Sequence, residues 1–329
     1  MPASRQYSDT MEMKPNDLCP TQIIDGERYS ILRDPEIIWD ILRFQPGKDD
    51  VVLMTYPTSG THWMQQIMQL IVYRGHSATT HNEFCKRSPF LEDYGKRISE
   101  VTTHSRPRIL TTHFQPGKLT INQSSKYVYV ARNPWDLCAS LYDQSRQTPL
   151  CPLQATFGEF LPAFLRGYMP YGSYFQHVNA GYALRNQKNV FFVTYEEIAA
   201  DTMGVVVRLA EFLGASHGRA VQEDAQLLSE IVRKCRPNFM RDLMTVPMEE
   251  MANLIVKNKQ ILPLGNEEAS SGDTRVVRFV RSATVGRWRE VFSKEQLRQV
   301  LVHIDETRDG AFVKQLWRNI WQQVTEASQ

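Results

Sequence analysis

Three features of the sequence predict an α/β fold, a single domain with a central, mostly parallel sheet flanked by helices. Four short segments are almost continuous in apolar or β-branched residues, as expected for strands buried on both faces, and they occupy 51–56, 108–112, 127–131 and 190–194. Amphipathic stretches separate them, and strands that alternate with helices form parallel βαβ units. No Pro/Gly/Ser linker or internal repeat divides the chain after a flexible arm at 1–20, so residues 21–329 are predicted to form one domain.

The composition allows a large core and limits the functional classes. Of 329 residues, 42% are hydrophobic and 10% are aromatic, which argues against disorder. The net charge of +2 gives no case for nucleic-acid binding, so any basic site must be local. Five cysteines without a C-x-x-C pair and a polar N-terminus predict a reduced, cytoplasmic protein without a signal peptide. No run of about 18 apolar residues occurs, so no membrane span is expected.

The first predicted strand continues into a tight turn and a helix, and this segment is the most informative in the chain. It reads VVLMTYPTSGTHW over 51–63, and the helix is predicted over 61–74. The turn, Thr58-Ser59-Gly60-Thr61, is rich in hydrogen-bond donors, and the N–H groups and dipole of a helix N-terminus suit a phosphate or sulfate. The alternative is a plain connection with Ser59 as the helix N-cap. A nucleotide P-loop reads G-x-x-x-x-G-K-[ST], so the absence of lysine argues against a common ATPase, GTPase or kinase.

A histidine and an arginine directly follow the next two predicted strands. His113 follows the strand at 108–112, and Arg132 follows the strand at 127–131. Ligands bind beyond the carboxyl ends of parallel strands, so both residues are predicted to share an edge with the first turn. A helix is predicted over 134–146, and its Ser140 lies about two turns beyond Arg132, where both can bind one anion. The alternatives are that Arg132 pairs with a carboxylate such as Asp136 and that His113 is a core histidine.

The rest of the chain supplies one more strand, further helices and a basic loop. Tyr195 follows the strand at 190–194, and helices are predicted over 157–167, 173–186, 203–213, 221–233, 294–305 and 310–324. The segments 145–156 and 262–278 are predicted to be irregular. Arg281 precedes a Gly-x-Trp turn, in a loop that either closes over the anion or is simply solvated. His76 and His81 have no acidic or cysteine ligands at the usual spacing, so no metal site is predicted.

Taken together, these segments resemble the cytosolic sulfotransferase family. TYPTSGTHW is similar to that family's 5′-phosphosulfate loop TYPKSGTTW, ARNPWDLCASLY to its 3′-phosphate segment RNPKDxxVSYY, and RSATVGRW to its RKGxxGDW loop. PRILTTHFQP at 107–116 resembles the string PRLIKTHLP that carries the catalytic histidine, and FFVTYEEI at 191–198 resembles the string FYEDM whose tyrosine lies by the adenine. The order of the motifs agrees, and the resemblance runs from about residue 30 to the C-terminus.

The resemblance implies a sulfotransferase that uses 3′-phosphoadenylyl sulfate (PAPS) as co-substrate, with no metal, and a small phenol, alcohol, sterol or amine as acceptor. It implies His113 as the general base that takes the acceptor proton, a role that suits imidazole. The implied nucleotide-binding residues hold the 5′-phosphosulfate (Thr58, Ser59, Gly60, Thr61 and His62), the 3′-phosphate (Arg132, Ser140 and Arg281) and the adenine (Trp63 and Tyr195).

The sequence departs from the family motifs at two positions that should affect the rate of sulfuryl transfer. Thr58 and Thr111 stand where the family has lysines. A well-placed donor to a transition state contributes about 2.7–4 kcal/mol, so the alternative prediction is a catalytically weak or inactive protein that binds the phosphoadenosine nucleotide. We hypothesise that a protonated His62 or Lys118 restores part of the charge.

Two further predictions concern assembly and the acceptor. The family's dimerisation string KxxxTVxxxE is not matched at 289–298, which predicts a monomer or a weak homodimer. The acceptor pocket is predicted to be lined by the variable segments 81–98, 143–156 and 240–265, with aromatic residues of 164–178 divided between the pocket and the core.

Overall fold

The computed structural model describes residues 18, 21–101, 106–147, 153–250, 276–280 and 284–329. Its strands are β1 (Thr21–Ile24), β2 (Glu27–Ser30), β3 (Asp50–Thr55), β4 (Arg108–Thr112), β5 (Lys126–Ala131), β6 (Val190–Thr194), β7 (Thr245–Pro247) and β8 (Val276–Arg278). The middle four form one parallel sheet in the order β4–β3–β5–β6, which confirms the predicted α/β fold. Two antiparallel pairs, β1–β2 and β7–β8, lie outside this sheet.

Helices cover both faces of the sheet. They are α1 (Pro35–Leu42), α2 (Thr61–Val72), α3 (His81–Arg87), α4 (Leu91–Tyr94), α5 (Pro134–Arg146), α6 (Phe157–Leu165), α7 (Tyr174–Ala183), α8 (Tyr195–Ala200), α9 (Thr202–Leu213), α10 (Ala215–Glu223), α11 (Ala225–Lys234), α12 (Pro237–Leu243), α13 (Trp288–Val291), α14 (Lys294–Glu306), α15 (Ala311–Leu316) and α16 (Arg318–Ser328). Short 3₁₀ segments occur at Gly95–Val101 and Arg308–Gly310.

The strands are continuously apolar because their two faces enter two different cores. In β3, Val52 and Met54 pack into a cluster with helices α5, α6 and α7, whereas Val51 and Leu53 pack with helices α2 and α9. All four side chains are almost completely buried, and burial of such a side chain contributes about 1.5–3 kcal/mol. This double burial holds the carboxyl ends of the strands in a fixed register.

Two of the predicted helices are wrong, because each is divided into two helices. The predicted helix over 221–233 is two helices, α10 and α11, because the side chain of Asp224 accepts a hydrogen bond from Leu227 N and starts a new helix. The predicted helix over 310–324 is likewise divided, at Trp317, whose φ of −126° and ψ of 45° leave the helical region.

The predicted irregular segments are only partly described. Residues 145 and 146 end α5, and Thr156 caps α6, while 148–152 lie outside the described residues. In the segment 262–278, residues up to 275 are outside the described residues, and 276–278 form β8 rather than a loop. Of the predicted arm at 1–20, only residue 18 is described, so the domain boundaries stay a prediction.

Candidate functional site

A cavity of about 720 Å³ lies at the carboxyl edge of the central sheet. Its wall includes the turn after β3 and the residues that follow the other three strands, namely His113, Arg132 and Tyr195. Thr58, Gly60, Thr61, His62, Trp63 and Ser140 also line it. The structure therefore brings together the predicted site residues that it describes, with Ser59 fully buried in the turn itself. Parallel strands place their carboxyl ends at one edge, which is why residues far apart in sequence meet here.

The turn after β3 presents hydrogen-bond donors for which the described residues supply no side-chain acceptor. Gly60, with a φ of 101°, is the N-cap of α2 and has no side chain to cap it, so Ser59 is not the cap. The first N–H groups of α2 consequently have no side-chain acceptor. A Cβ at Gly60 would lie 2.8 Å from Tyr195 Cδ2, so only glycine fits. Ser59 Oγ is buried and has no hydrogen-bond partner among the described residues. These groups fit an anion.

Thr58 connects this turn to the next strand and helix. Its φ of 65° is in the left-handed region, which is strained for a β-branched residue. Its carbonyl accepts a hydrogen bond from Arg132 Nη1 at 3.1 Å, and its hydroxyl lies 3.4 Å from Leu137 O. The turn and Arg132 are thus held against each other directly.

Arg132 is a buried arginine without an acidic partner in the part of the chain that the structure describes. Its exposed fraction is 6%, and its guanidinium contacts Ser140 Oγ at 3.1 Å and Thr284 O at 3.5 Å. It also lies over the ring of Tyr195, 4.3 Å from the centroid. Arg132 Nε has no acceptor among these residues. A buried guanidinium needs a counter-charge, so this position fits a second anion.

Asp136 does not pair with Arg132, which removes the alternative interpretation of that arginine. Its carboxylate accepts hydrogen bonds from Gly286 N at 2.7 Å and Trp288 N at 2.9 Å, and from Asn133 Nδ2 at 2.9 Å. Asp136 therefore fastens the turn at 286–288 to the start of α5. Arg281 lies outside the described residues, but this anchored turn follows it closely in sequence, and Thr284 is in contact with Arg132.

His113 is held with one ring nitrogen directed into the protein. Its Nδ1 is 2.9 Å from Thr55 O, and because a carbonyl only accepts, Nδ1 carries the proton and Nε2 carries the lone pair. Burial lowers the pKa of His113 to about 3, with nearby Arg33, His177 and His62 acting in the same direction. The imidazole is thus neutral near pH 7 with an unprotonated Nε2, and burial makes it a weaker base than free imidazole.

Three residues that support His113 were not predicted from the sequence. The carboxylate of Glu92 accepts a hydrogen bond from His113 N, and His177 Nε2 donates to His113 O at 3.1 Å. The hydroxyl of Tyr129 lies 2.7 Å from His177 Nδ1 and 3.0 Å from His177 O. The only sequence feature that points to His177 is its place in the aromatic segment 164–178. No sequence feature points to Glu92, which lies in the segment 81–98 that is predicted to be variable.

The rings of Trp63 and Tyr195 contact each other in the cavity wall. Their ring centroids are 5.1 Å apart with an interplanar angle of 64°. One face of Tyr195 is occupied by Arg132. The two rings therefore meet at an angle, and their role beside an adenine stays a prediction.

The two residues suggested as replacement cations, His62 and Lys118, both have partners within the protein. His62 Nδ1 bonds to Gln65 Oε1 at 2.8 Å, and burial lowers the pKa of His62 to about 4, so it is neutral near pH 7. Lys118 forms an ion pair with Glu27 at 3.0 Å and does not line the cavity. Thr111 is buried and accepts a hydrogen bond from Gln65 Nε2 at 2.9 Å. The hypothesis is therefore wrong for Lys118, and for His62 it stays a prediction, because a bound anion would raise the pKa of the imidazole.

The His113 end of the cavity combines aromatic and charged groups. The rings of Phe90 and Tyr171 lie 5.1 and 5.5 Å from the His113 ring, between centroids. All three segments predicted to line an acceptor pocket contribute to the wall: residues that do so include His81, Asn82, Cys85, Tyr94, Gln144, Ser145 and Met240. In the segment 164–178, Tyr171 lines the cavity, whereas Phe164, Tyr174 and Phe175 belong to the core.

The described residues were also considered as metal ligands and as membrane-spanning segments, and they form neither. They contain no group of three or more His, Cys, Asp or Glu side chains placed to hold a metal ion. None of the helices among the described residues has the length and the hydrophobicity that a membrane span requires.

Comparison with known proteins gives one consistent result. A family model described as "Sulfotransferase domain" matches residues 48–312. Mouse sulfotransferase 2B1 is 33% identical over 252 residues, which is 75% of this chain and 68% of the mouse protein. Mouse sulfotransferase 1A1 is 28% identical over 285 residues, 84% of this chain and 90% of the relative.

Two solved structures share the fold over nearly the whole chain. The crystal structure of mouse sulfotransferase SULT7A1 complexed with PAP has a TM-score of 0.63 and 22% identity, covering 93% of this chain and 98% of that one. The structure of retinol dehydratase with androsterone and the inactive cofactor PAP has a TM-score of 0.60 and 20% identity, with coverage of 90% and 96%.

Proposed function

The chain belongs to the sulfotransferase family and is a sulfotransferase, and we propose that it moves a sulfuryl group from PAPS to a hydroxyl or amine of a small-molecule acceptor. The PAP present in the SULT7A1 and retinol dehydratase structures supports PAPS as the donor. The androsterone in the latter supports a small-molecule acceptor. We further propose a cytoplasmic monomer or weak homodimer that binds neither nucleic acid nor membranes.

The observation that carries this proposal is the buried guanidinium of Arg132 next to the turn after β3, which has no acidic partner among the described residues and whose Nε has no acceptor there. Arg132 and Ser140 hold the 3′-phosphate of PAPS, and Arg281 is proposed as a further ligand of the same phosphate from the family motif alone. The donors of Ser59, Gly60 and Thr61, with Thr58 and His62 beside them, hold the 5′-phosphosulfate at the N-terminus of α2. Trp63 and Tyr195 flank the adenine.

His113 acts as the general base. PAPS supplies the sulfuryl group, and the acceptor oxygen forms a new S–O bond while the S–O bond to the 5′-phosphate breaks. Nε2 of His113 takes the acceptor proton, because Nδ1 already donates its own proton to Thr55 O. The negative charge that remains on the departing phosphate lies at the positive end of α2, where the unsatisfied N–H groups stabilise it.

Substitution of His113 by alanine separates catalysis from nucleotide binding. Transfer from radiolabelled PAPS to a panel of phenols and sterols is measured beside the thermal shift caused by PAP. We expect His113→Ala to lose transfer and keep the thermal shift, since His113 touches the acceptor rather than the nucleotide. His76→Ala is the control, because His76 is an exposed histidine that does not line the cavity. Retained turnover in His113→Ala would remove His113 as the base.

A further inference from the structure

Arg287 is a basic residue in the cavity wall that the proposed mechanism does not use. It directly precedes α13, and it lines the same cavity as Arg132 and Ser140. Compared with the family motif RKGxxGDW, the loop RSATVGRW has Ser282 in place of the lysine and Arg287 in place of the aspartate. The loop thus lacks one cation of the motif and has another, at a position in the cavity wall.

The backbone on either side of Arg287 is anchored to helix α5. Gly286 N and Trp288 N donate hydrogen bonds to the two carboxylate oxygens of Asp136, at 2.7 and 2.9 Å. Asp136 is completely buried and lies in the first turn of α5. Because both neighbours are held in this way, the Arg287 side chain starts from a fixed point beside α5.

The ion-pair partner of Arg287 places its guanidinium next to the proposed 3′-phosphate site. Arg287 pairs with Asp143 of α5. Asp143 lies three residues after Ser140, so the two side chains share one face of the helix, with Cβ atoms about 5–6 Å apart. Ser140 Oγ in turn contacts Arg132 Nη1 at 3.1 Å. The two guanidinium groups therefore lie against neighbouring positions on one face of α5, and a phosphate bound at Ser140 is within reach of both.

The ion pair with Asp143 does not exhaust the guanidinium of Arg287. A guanidinium carries five N–H donors in a planar fork, so Arg287 can keep one edge on Asp143 and direct other donors to a phosphate. Without Arg287, the negative charge of Asp143 would repel a phosphate bound at Ser140. Arg287 removes this repulsion and adds an attraction of its own.

Resting on the proposed function, we propose that Arg287 is a further ligand of the 3′-phosphate of PAPS, beside Arg132 and Ser140, and supplies the cation that Ser282 does not. The phosphate then binds between two guanidinium groups, one following β5 and the other preceding α13. Arg287 thus contributes to the affinity for nucleotides that carry a 3′-phosphate, and hardly to the affinity for adenosine 5′-phosphate, which lacks that group.

Calorimetric titration of PAP and of adenosine 5′-phosphate into wild type and Arg287→Gln tests this proposal. Because a hydrogen bond between charged groups is lost, we expect Arg287→Gln to weaken PAP binding at least about tenfold and to leave the affinity for adenosine 5′-phosphate nearly unchanged. Arg289→Gln is the matched control, because Arg289 is exposed, lies two residues further along the chain and does not line the cavity. Binding of adenosine 5′-phosphate by each variant reports that the protein is folded.

The Asp143→Asn background separates phosphate binding by Arg287 from mere neutralisation of Asp143. If Arg287 contacts the phosphate, Arg287→Gln weakens PAP binding at least about tenfold in this background too. The proposal is overturned if Arg287→Gln keeps the wild-type ratio of the two affinities, or if its effect on PAP disappears in the Asp143→Asn background. A wild-type protein that does not discriminate between PAP and adenosine 5′-phosphate would contradict the 3′-phosphate site itself, and with it the proposed function.

Discussion

Replacement of Arg132 by alanine tests the assignment of the 3′-phosphate site. PAP and adenosine 5′-phosphate differ only in the group that Arg132 is proposed to bind. A hydrogen bond to a charged group contributes about 1.5–3 kcal/mol, and a guanidinium makes two of them to one phosphate. The expected loss of PAP affinity is therefore about 3 kcal/mol or more, which corresponds to a dissociation constant raised at least about 150-fold.

The same substitution also removes contacts that do not involve the 3′-phosphate. Arg132 bonds to Thr58 O at 3.1 Å and lies over the Tyr195 ring, so the turn after β3 loses support whichever nucleotide is bound. The ratio of the two affinities isolates the phosphate term, because this indirect loss is common to both nucleotides.

The assay is calorimetric titration of PAP and of adenosine 5′-phosphate into wild type, Arg132→Ala and Arg146→Ala. Arg146 is an exposed arginine at the C-terminus of α5, the helix that follows Arg132. It does not line the cavity, so its removal should change the affinity for neither nucleotide. If Arg132→Ala weakens both nucleotides by the same factor, the guanidinium does not bind the 3′-phosphate, and the reasoning from its missing counter-charge fails.

Three other substitutions or conditions have defined expectations. Thr58→Lys should raise the transfer rate by about 100-fold or more, since a well-placed donor contributes about 2.7–4 kcal/mol, and an unchanged kcat would show that a cation is not missing there. Burial lowers the pKa of His113 to about 3, so the base is neutral above about pH 4. We therefore expect kcat to stay level from about pH 8 to pH 5 and to fall only as the pH drops through about 3. A decline of kcat centred near pH 6.5, the ordinary pKa of histidine, would contradict this expectation. Gly60→Ala should lower Tm, with a cost of about 1–3 kcal/mol for the strained φ and the 2.8 Å contact with Tyr195, and an unaltered Tm would mean that the turn adjusts freely.

Much of the candidate site was predictable because local chemistry identifies it. The turn at 58–61 combines a strand end, glycine and hydroxyl groups, and the strands before His113 and Arg132 are recognisable from their apolar runs. The parallel arrangement then follows from the alternation of strands and helices, and it places the strand ends together.

The residues that support the site were not predictable in this way. Glu92 and His177 reach the backbone of His113 from α4 and α7, and no spacing in the sequence indicates that they do. The partners of Asp136 are equally remote, since it bonds to Gly286 and Trp288 rather than to Arg132, which the sequence left open.

The sequence by itself determined the fold class and the family and identified the candidate turn and the candidate base, because strand periodicity and short motifs are local properties of the chain. The tertiary structure alone decided the charge states and the pairings: a neutral His62, a distant Lys118 and an Arg132 without an acidic partner in the described part of the chain. The physical reason is that a charge state depends on burial and on neighbours brought together from distant segments, and these exist only in the folded molecule.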